Sequence, residues 1–134
     1  MLSTTPSSMR SERGAGSVEL AVTAPLLLLL ILASVQAALW AHAVHVTRAA
    51  ASAAAEATRQ YGETASAGKA RAEQVINQLG HHLLLAPQVT ATRSPTSARV
   101  IITAGVQPVI PGLRLHAHAD VTAPAERFVP GQTP

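Results

Sequence analysis

The stretch that decides the fold, residues 20–41, reads LAVTAPLLLLLILASVQAALWA. A helix of this length covers roughly the 30 Å of hydrocarbon in a bilayer. Between Arg13 and Arg48 the only charged side chain is that of Glu19, at the start of the stretch. The rest of the chain is too short to cover so apolar a helix inside a soluble core, so we predict a membrane-spanning helix.

The composition of the whole chain excludes several classes of protein. The chain has 134 residues and only 2% aromatic residues, so it can hold one small domain but not the aromatic-rich core of a typical enzyme. The net charge is +3 and Lys69 is the only lysine, which leaves no basic stripe for nucleic acid. Cysteine is absent, which excludes disulfides, thiolate catalysis and cysteine-based zinc sites. We expect no cofactor.

The flanks of the apolar stretch predict its orientation. Arg10 and Arg13 precede it, and the positive-inside rule places them in the cytoplasm, with the C-terminal part of the chain outside the cytoplasm. Trp40 lies at the distal edge, where indole prefers the lipid headgroups. We therefore expect Arg10, Arg13 and Trp40 at the membrane interfaces. A cleaved secretory signal is the alternative, although the apolar stretch is longer than the roughly 7–15 residues of such a signal.

Glu19 permits two interpretations. A carboxylate within an apolar helix costs a few kcal/mol, depending on its depth. In the first interpretation Glu19 lies among the headgroups, in the first turn of the helix, where the helix dipole favours an acid and the residue has no further role. In the second interpretation the carboxylate has a defined position and a partner.

The residues before the apolar stretch favour the second interpretation. Residues 13–20 read RGAGSVEL, so that a basic residue and a glycine are followed, five positions after the glycine, by a glutamate that opens a hydrophobic helix. This pattern resembles the class III signal of type IV pilins and pseudopilins. Together with Pro25, the leucine run and the Ala- and Arg-rich continuation, residues 13–61 resemble the TadE-like family of tight-adherence (type IVb) pilus assembly proteins. Leu20 departs from the family, in which an aromatic residue is frequent at that position.

The resemblance implies a function and specific roles for three residues. A prepilin peptidase would cut after Gly14, make Ala15 the new N-terminus and leave the apolar helix attached. Glu19 would then be the fifth mature residue and would pair with the amino terminus of a neighbouring subunit, which offsets the desolvation of both charges. The implied partners are the peptidase, other pilus or pseudopilin subunits, inner-membrane assembly proteins and the lipid bilayer.

We therefore expect a pseudopilin-like, single-pass membrane protein that is not an enzyme and has an accessory role in a pilus or related secretion system. The alternative is a signal-anchored extracytoplasmic binding or regulatory protein that is unrelated to pili. In that case the position of Glu19 would be incidental.

The sequence beyond the membrane predicts a small α+β domain. Ala43–Tyr61 is rich in alanine, which favours a continuation of the first helix outward and close packing of that helix in a bundle. Gly62–Gly68 is expected to break the helix, and a second helix is expected over Lys69–Leu85, ended by Pro87. Its apolar face comprises Ala72, Val75, Ile76, Leu79 and Leu83.

Three short runs with apolar or alternating patterns predict a small antiparallel sheet after the second helix: Val89–Thr92, Arg99–Val106 and Leu113–Thr122. The predicted organisation is a cytoplasmic leader over residues 1–14, a transmembrane and extended helix over 15–61, an extracytoplasmic domain over 62–129 and a disordered tail over 130–134.

His116, His118 and Asp120 alternate along the last predicted strand and so share one face. Two imidazoles and a carboxylate could bind zinc, and the spacing resembles the His-x-His-x-Asp motif of metallo-β-lactamase-like hydrolases. The next histidine of that motif is replaced by Val121, and the chain is too short for that fold. We expect a solvated strand face, with a membrane-tethered metalloenzyme as a third hypothesis.

Overall fold

The computed structural model of the chain describes residues 11–60 and 63–125. Arg10 and the predicted tail over 130–134 lie outside these residues, and so do most of the predicted leader and the side chains of Arg13 and Ala15. Helix α1 spans Ser11–Arg59 and helix α2 spans Ala65–Leu79. Strand β1 spans Leu84–Arg93, β2 spans Ser97–Val106 and β3 spans His116–Pro124. The predicted α+β class, with a long apolar helix, a second helix and a small antiparallel sheet, is confirmed.

The chain divides into two units between Val35 and Gln36, and this boundary falls inside the predicted span 20–41. The described part of the first unit is the N-terminal part of α1, in which the leucines from Leu26 to Leu30 are 54–65% exposed. Pro25 lies inside the helix. By length and composition, α1 is the one described helix that could cross a membrane.

The second unit has its own hydrophobic core. The sheet order is β1-β2-β3, with both neighbours of β2 antiparallel to it. Alternate residues of β2 are buried because one face of the sheet is covered and the other is exposed. The buried side chains of the sheet are mainly small and aliphatic: Leu84, Ala98, Val100, Ile102, Ala104, Val106, Ala117 and Ala119.

The C-terminal part of α1 belongs to this core. From Ala43 onward its buried residues recur at helical spacing, and they are Ala43, Val46, Thr47, Ala50, Ala51, Ala54, Ala55 and Thr58. The hydroxyl groups of Thr47 and Thr58 donate to the carbonyl oxygens of Ala43 and Ala54, which satisfies them without water. The alanines expected to pack in a helix bundle therefore pack inside the chain's own domain.

Helix α2 begins and ends earlier than the predicted Lys69–Leu85. Thr64 is its N-cap and accepts a hydrogen bond from the backbone N–H of Ala67, and the N–H of Gly80 donates to the carbonyl of Ile76 at the other end. Gly68, which was expected to break the helix, lies inside it and is buried. Ala72, Val75 and Ile76 are buried as predicted, but Leu79 is exposed and Leu83 lies in the following turn.

Strand β1 includes Pro87, which was expected to end a helix. Proline is tolerated because β1 is an edge strand and its pairing with β2 shifts register between Leu85 and Gln88. Ala86 in this irregularity has a φ of 45°. The predicted start of β3 at Leu113 is also wrong, because Gly112, with a φ of 83°, lies in a turn and the strand begins at His116.

Candidate membrane and assembly site

The predicted cleavage point lies on an exposed turn of α1. Gly14 and Gly16 are exposed, and a Cβ atom added at either would meet no neighbour within 4 Å. The Ser17 hydroxyl donates to the carbonyl oxygen of Gly14 at 2.9 Å, and this carbonyl belongs to the peptide bond between Gly14 and Ala15. The backbone of this segment is helical. Each glycine makes local unwinding about 1 kcal/mol easier than alanine would.

Glu19 is exposed in the same helix, one turn beyond Ala15. Among the side chains that the structure describes, none forms an ion pair or hydrogen bond with that of Glu19. Its carboxylate is therefore not occupied by any of these described groups. The structure assigns no partner, so its predicted pairing with a neighbouring amino terminus stays a prediction.

Trp40 is 44% exposed and its indole Nε1–H donates to the carbonyl oxygen of His116 at 3.1 Å. The N–H that was expected to face the headgroups is thus used to hold the start of β3. The remainder of the ring is accessible, and the interfacial location of Trp40 stays a prediction. The predicted location of Arg10 and Arg13 at the opposite interface also stays a prediction.

Gln36 is a site residue that sequence reasoning missed. Its side chain is only 2% exposed, although it lies within the predicted membrane span. Its Oε1 accepts from the backbone N–H groups of Val109 at 2.6 Å and Ile110 at 3.4 Å, and its Nε2 donates to the carbonyl of Gln107 at 3.4 Å. The sequence signal that could have identified Gln36 is its amide side chain, which lies within the predicted membrane span 20–41.

His116, His118 and Asp120 share the exposed face of β3, as predicted. Asp120 is paired with Arg99 of β2, with Oδ1 3.0 Å from Nε and Oδ2 2.5 Å from the terminal nitrogen, and the hydrogen bond from Arg99 lowers the pKa of the carboxyl. Nδ1 of His118 lies 3.2 Å from the hydroxyl of Thr103. No three metal-ligating side chains come together in the part of the chain that the structure describes.

Comparison with known proteins identifies the N-terminal segment. Residues 14–56 match the family described as TadE-like protein. Most of helix α1 is thus similar to this family. The matched segment contains Gly14, Glu19 and the whole apolar stretch, and it confirms the resemblance that the sequence predicted. No curated protein and no solved structure matches the chain. The match ends within α1, so α2 and the sheet are outside it.

The TadE-like segment and the apolar helix together fit a pilus-related membrane protein that crosses the bilayer once. They are also consistent with pilus subunits and a lipid bilayer as partners.

Proposed function

We propose that this protein is a non-enzymatic, pseudopilin-like component of a tight-adherence pilus or a related secretion system. It inserts with its N-terminus in the cytoplasm and its domain outside. A prepilin peptidase then removes the leader after Gly14. The mature protein assembles with pilus subunits and inner-membrane assembly proteins through its N-terminal helix.

This proposal rests on the match to the TadE-like family. The matched segment lies in a helix in which both expected site residues, Gly14 and Glu19, are accessible. Gly14 and Glu19 lie in the matched segment and neither is covered by the described parts of the chain. A protease needs access to the bond after Gly14, and an assembly contact needs an unoccupied carboxylate at Glu19. The exposure of both positions among the described residues supports these two requirements.

The charge on Glu19 makes assembly depend on cleavage of the leader. A carboxylate in an apolar helix is costly when it has no partner and is stabilised when it meets a cation in a medium of low dielectric. Cleavage after Gly14 creates such a cation, the α-amino group of Ala15. Processing and assembly are therefore coupled, because an uncut chain has no amino group at that position.

The first test is the N-terminal sequence of the protein purified from its host. We expect a mature chain that begins at Ala15, and we expect Gly14→Leu to abolish this processing. Gly16→Leu is the matched control, because it places the same side chain on a nearby exposed glycine that also has open space around it. A full-length native chain, or one cut beyond Trp40 and released, would contradict the proposal and favour the alternatives of a signal anchor or a secreted protein.

The second test isolates the charge of Glu19. Glu19→Gln keeps the shape of the side chain and removes its charge, so we expect processing to continue and pilus number to fall sharply. Glu56→Gln is the control, because Glu56 is also exposed on α1 but lies in the second unit, where it pairs with Arg59. Normal piliation in Glu19→Gln would show that the carboxylate has no assembly role.

A further inference from the structure

The loop between β2 and β3, residues 107–115, carries apolar side chains on the surface of the second unit. We call it the basal loop. Leu113 is 37% exposed, Val109 and Ile110 are half-buried, and neighbouring Leu85 of β1 is 43% exposed. Clusters of exposed aliphatic side chains are a feature of surfaces that contact a membrane or a partner.

Hydrogen bonds fix this loop beside one end of the second unit. The three bonds of Gln36 hold the backbone of residues 107–110, and Trp40 holds the carbonyl of His116 just after the loop. Gln36 directly follows Val35, the last residue of the apolar N-terminal unit. The basal loop is thus bonded to the first residue of the domain that follows the apolar segment in the chain.

An open, largely apolar cavity of about 210 Å³ adjoins the loop. Its lining includes Leu85, Val106, Pro108, Leu113 and Arg114. The aliphatic side chains make it suitable for hydrocarbon, and no charged group other than Arg114 lines it.

The charged residues of the basal loop favour an anionic membrane. The sequence contains no Asp or Glu between Glu73 and Asp120, so the loop and β2 carry no negative side chain. The nearest carboxylate after the loop is that of Asp120 in β3, and it is paired with Arg99. Arg114 is exposed at the rim of the cavity. An arginine next to aliphatic side chains can bind lipid phosphate while its neighbours enter the acyl region.

We propose that the basal loop inserts into the headgroup region of an anionic phospholipid bilayer, with Leu113 and Leu85 in the acyl boundary and Arg114 on lipid phosphate. This inference rests on the proposed membrane insertion of α1. It adds a second contact between the chain and the membrane. Apolar groups at such an interface lie about 5–10 Å deep.

The absence of cysteine allows a direct test with single labels on the full chain. Leu113→Cys, Thr96→Cys and Leu28→Cys are each labelled with an environment-sensitive fluorophore in vesicles of phosphatidylcholine and phosphatidylglycerol that contain brominated lipid. Thr96 is the matched control, because it is exposed in the β1–β2 turn at the opposite end of β2. Leu28 reports whether α1 is inserted at all.

We expect bromine to quench the labels at Leu28 and Leu113 several-fold more than the label at Thr96. If the Leu28 label is quenched and the Leu113 label behaves like that at Thr96, the inference about the loop is overturned while membrane insertion stands. If the Leu28 label is not quenched, membrane insertion itself fails. A Leu113 label that is shielded from water but not quenched by lipid means that a protein covers the loop, which also overturns the inference.

The role of charge is tested by adding Arg114→Gln to the Leu113→Cys chain. We expect quenching at Leu113 to fall when phosphatidylglycerol is omitted, and we expect this dependence to disappear in Arg114→Gln. Arg93→Gln is not a suitable control, because Arg93 donates to backbone carbonyls of Thr58 and Gln60 at the end of α1. Arg71→Gln is suitable, since Arg71 is exposed on α2 and bonds only to Gln74 among the described residues. Equal quenching in both lipid mixtures with the unsubstituted Arg114 contradicts the proposed preference for an anionic bilayer.

Discussion

The two parts of α1 have similar helical backbones and opposite environments. Up to Val35 the large aliphatic side chains are mostly exposed, whereas from Gln36 onward one face of the helix is buried against the sheet and α2. The buried face is built from alanine, valine and threonine, and the exposed segment is built from leucine. The larger apolar residues are thus in the part that no described protein group covers, as expected where lipid replaces a protein core.

This contrast explains why hydrophobicity alone is a poor guide to burial in this chain. The most apolar segment contributes nothing to the core of the second unit, and the core depends on small residues that allow close approach. The same substitution should therefore have different consequences in the two units. Three substitutions with matched partners and one ion-pair variant test this. Stability is measured by unfolding of the full chain in mild detergent, followed by the fluorescence of Trp40, its only tryptophan.

The largest difference is expected between truncation of Ile102 and truncation of Leu28. Ile102 is fully buried in β2, so Ile102→Ala leaves a cavity and should lower the free energy of unfolding of the second unit by about 3 kcal/mol. Leu28 is 58% exposed in the first unit, and Leu28→Ala should leave that free energy unchanged. Equal losses of unfolding free energy in the two variants would show that Leu28 stabilises the second unit as much as Ile102 does.

Much of the architecture could be predicted from the sequence, because its signals are local. The leucine run, the glycine-to-glutamate spacing and the alternating pattern around Arg99–Val106 each specify one element or motif without knowledge of distant residues. The match at 14–56 confirms the family resemblance for this reason. The alternation that places His116, His118 and Asp120 on one face is local in the same way.

The failures arise where a distant residue decides the outcome. Gly68 was expected to end a helix, but it lies inside α2 because Thr58 of α1 requires a residue without a side chain there. Pro87 was expected to stop a helix, but strand pairing with β2 incorporates it at a bulge. Gln36 was assigned to lipid because its partners are more than seventy positions away along the chain. None of these contacts can be inferred from spacing alone.

The second prediction compares one substitution at two helical glycines. Helix propensity alone predicts that glycine-to-alanine stabilises either helix by about 1 kcal/mol. At Gly68, however, the added Cβ would clash with Oγ1 of Thr58 and would lie 2.9 Å from the carbonyl oxygen of Ala54. We expect Gly68→Ala to lower the free energy of unfolding by about 2 kcal/mol, as overpacking usually does.

Gly16→Ala is the partner of this variant, because its Cβ meets nothing within 4 Å and should not destabilise the second unit. Adding Thr58→Ala to Gly68→Ala should restore part of the loss, since it removes the closest atom. No recovery in the double variant, measured against Thr58→Ala alone, would mean that the clash with Thr58 is not the cause.

The third prediction concerns the polar side chains on either side of the unit boundary. Gln36→Ala removes the acceptor for the N–H groups of Val109 and Ile110. These donors are part-buried, so we expect a loss near the lower end of the roughly 1–3 kcal/mol that an unpaired buried donor costs. Ser34→Ala removes only a hydroxyl that bonds back to Leu30 within the exposed part of the helix, so no loss is expected. Amide hydrogen exchange at Val109 and Ile110 should become faster in Gln36→Ala and stay unchanged in Ser34→Ala.

The smallest effect is expected from the exposed pair of Arg99 and Asp120. The hydrogen bond from Arg99 holds the pKa of the Asp120 carboxyl below its ordinary value of 3.8. The folded protein therefore binds this proton less readily than the unfolded chain does. The stabilisation is fully present above the ordinary pKa and is lost as the pH falls through the lower folded value.

We expect Arg99→Gln to raise the pKa of Asp120 toward 3.8 and to remove this acid-dependent contribution, with little change in stability at neutral pH because the pair is exposed. Carboxyl NMR titration measures the shift directly. Glu56 is the internal control, because its pKa is lowered by a separate partner, Arg59, and should not respond to Arg99→Gln. An Asp120 pKa that stays low in this variant would assign the shift to another group, of which His118 is the nearest candidate on the same face.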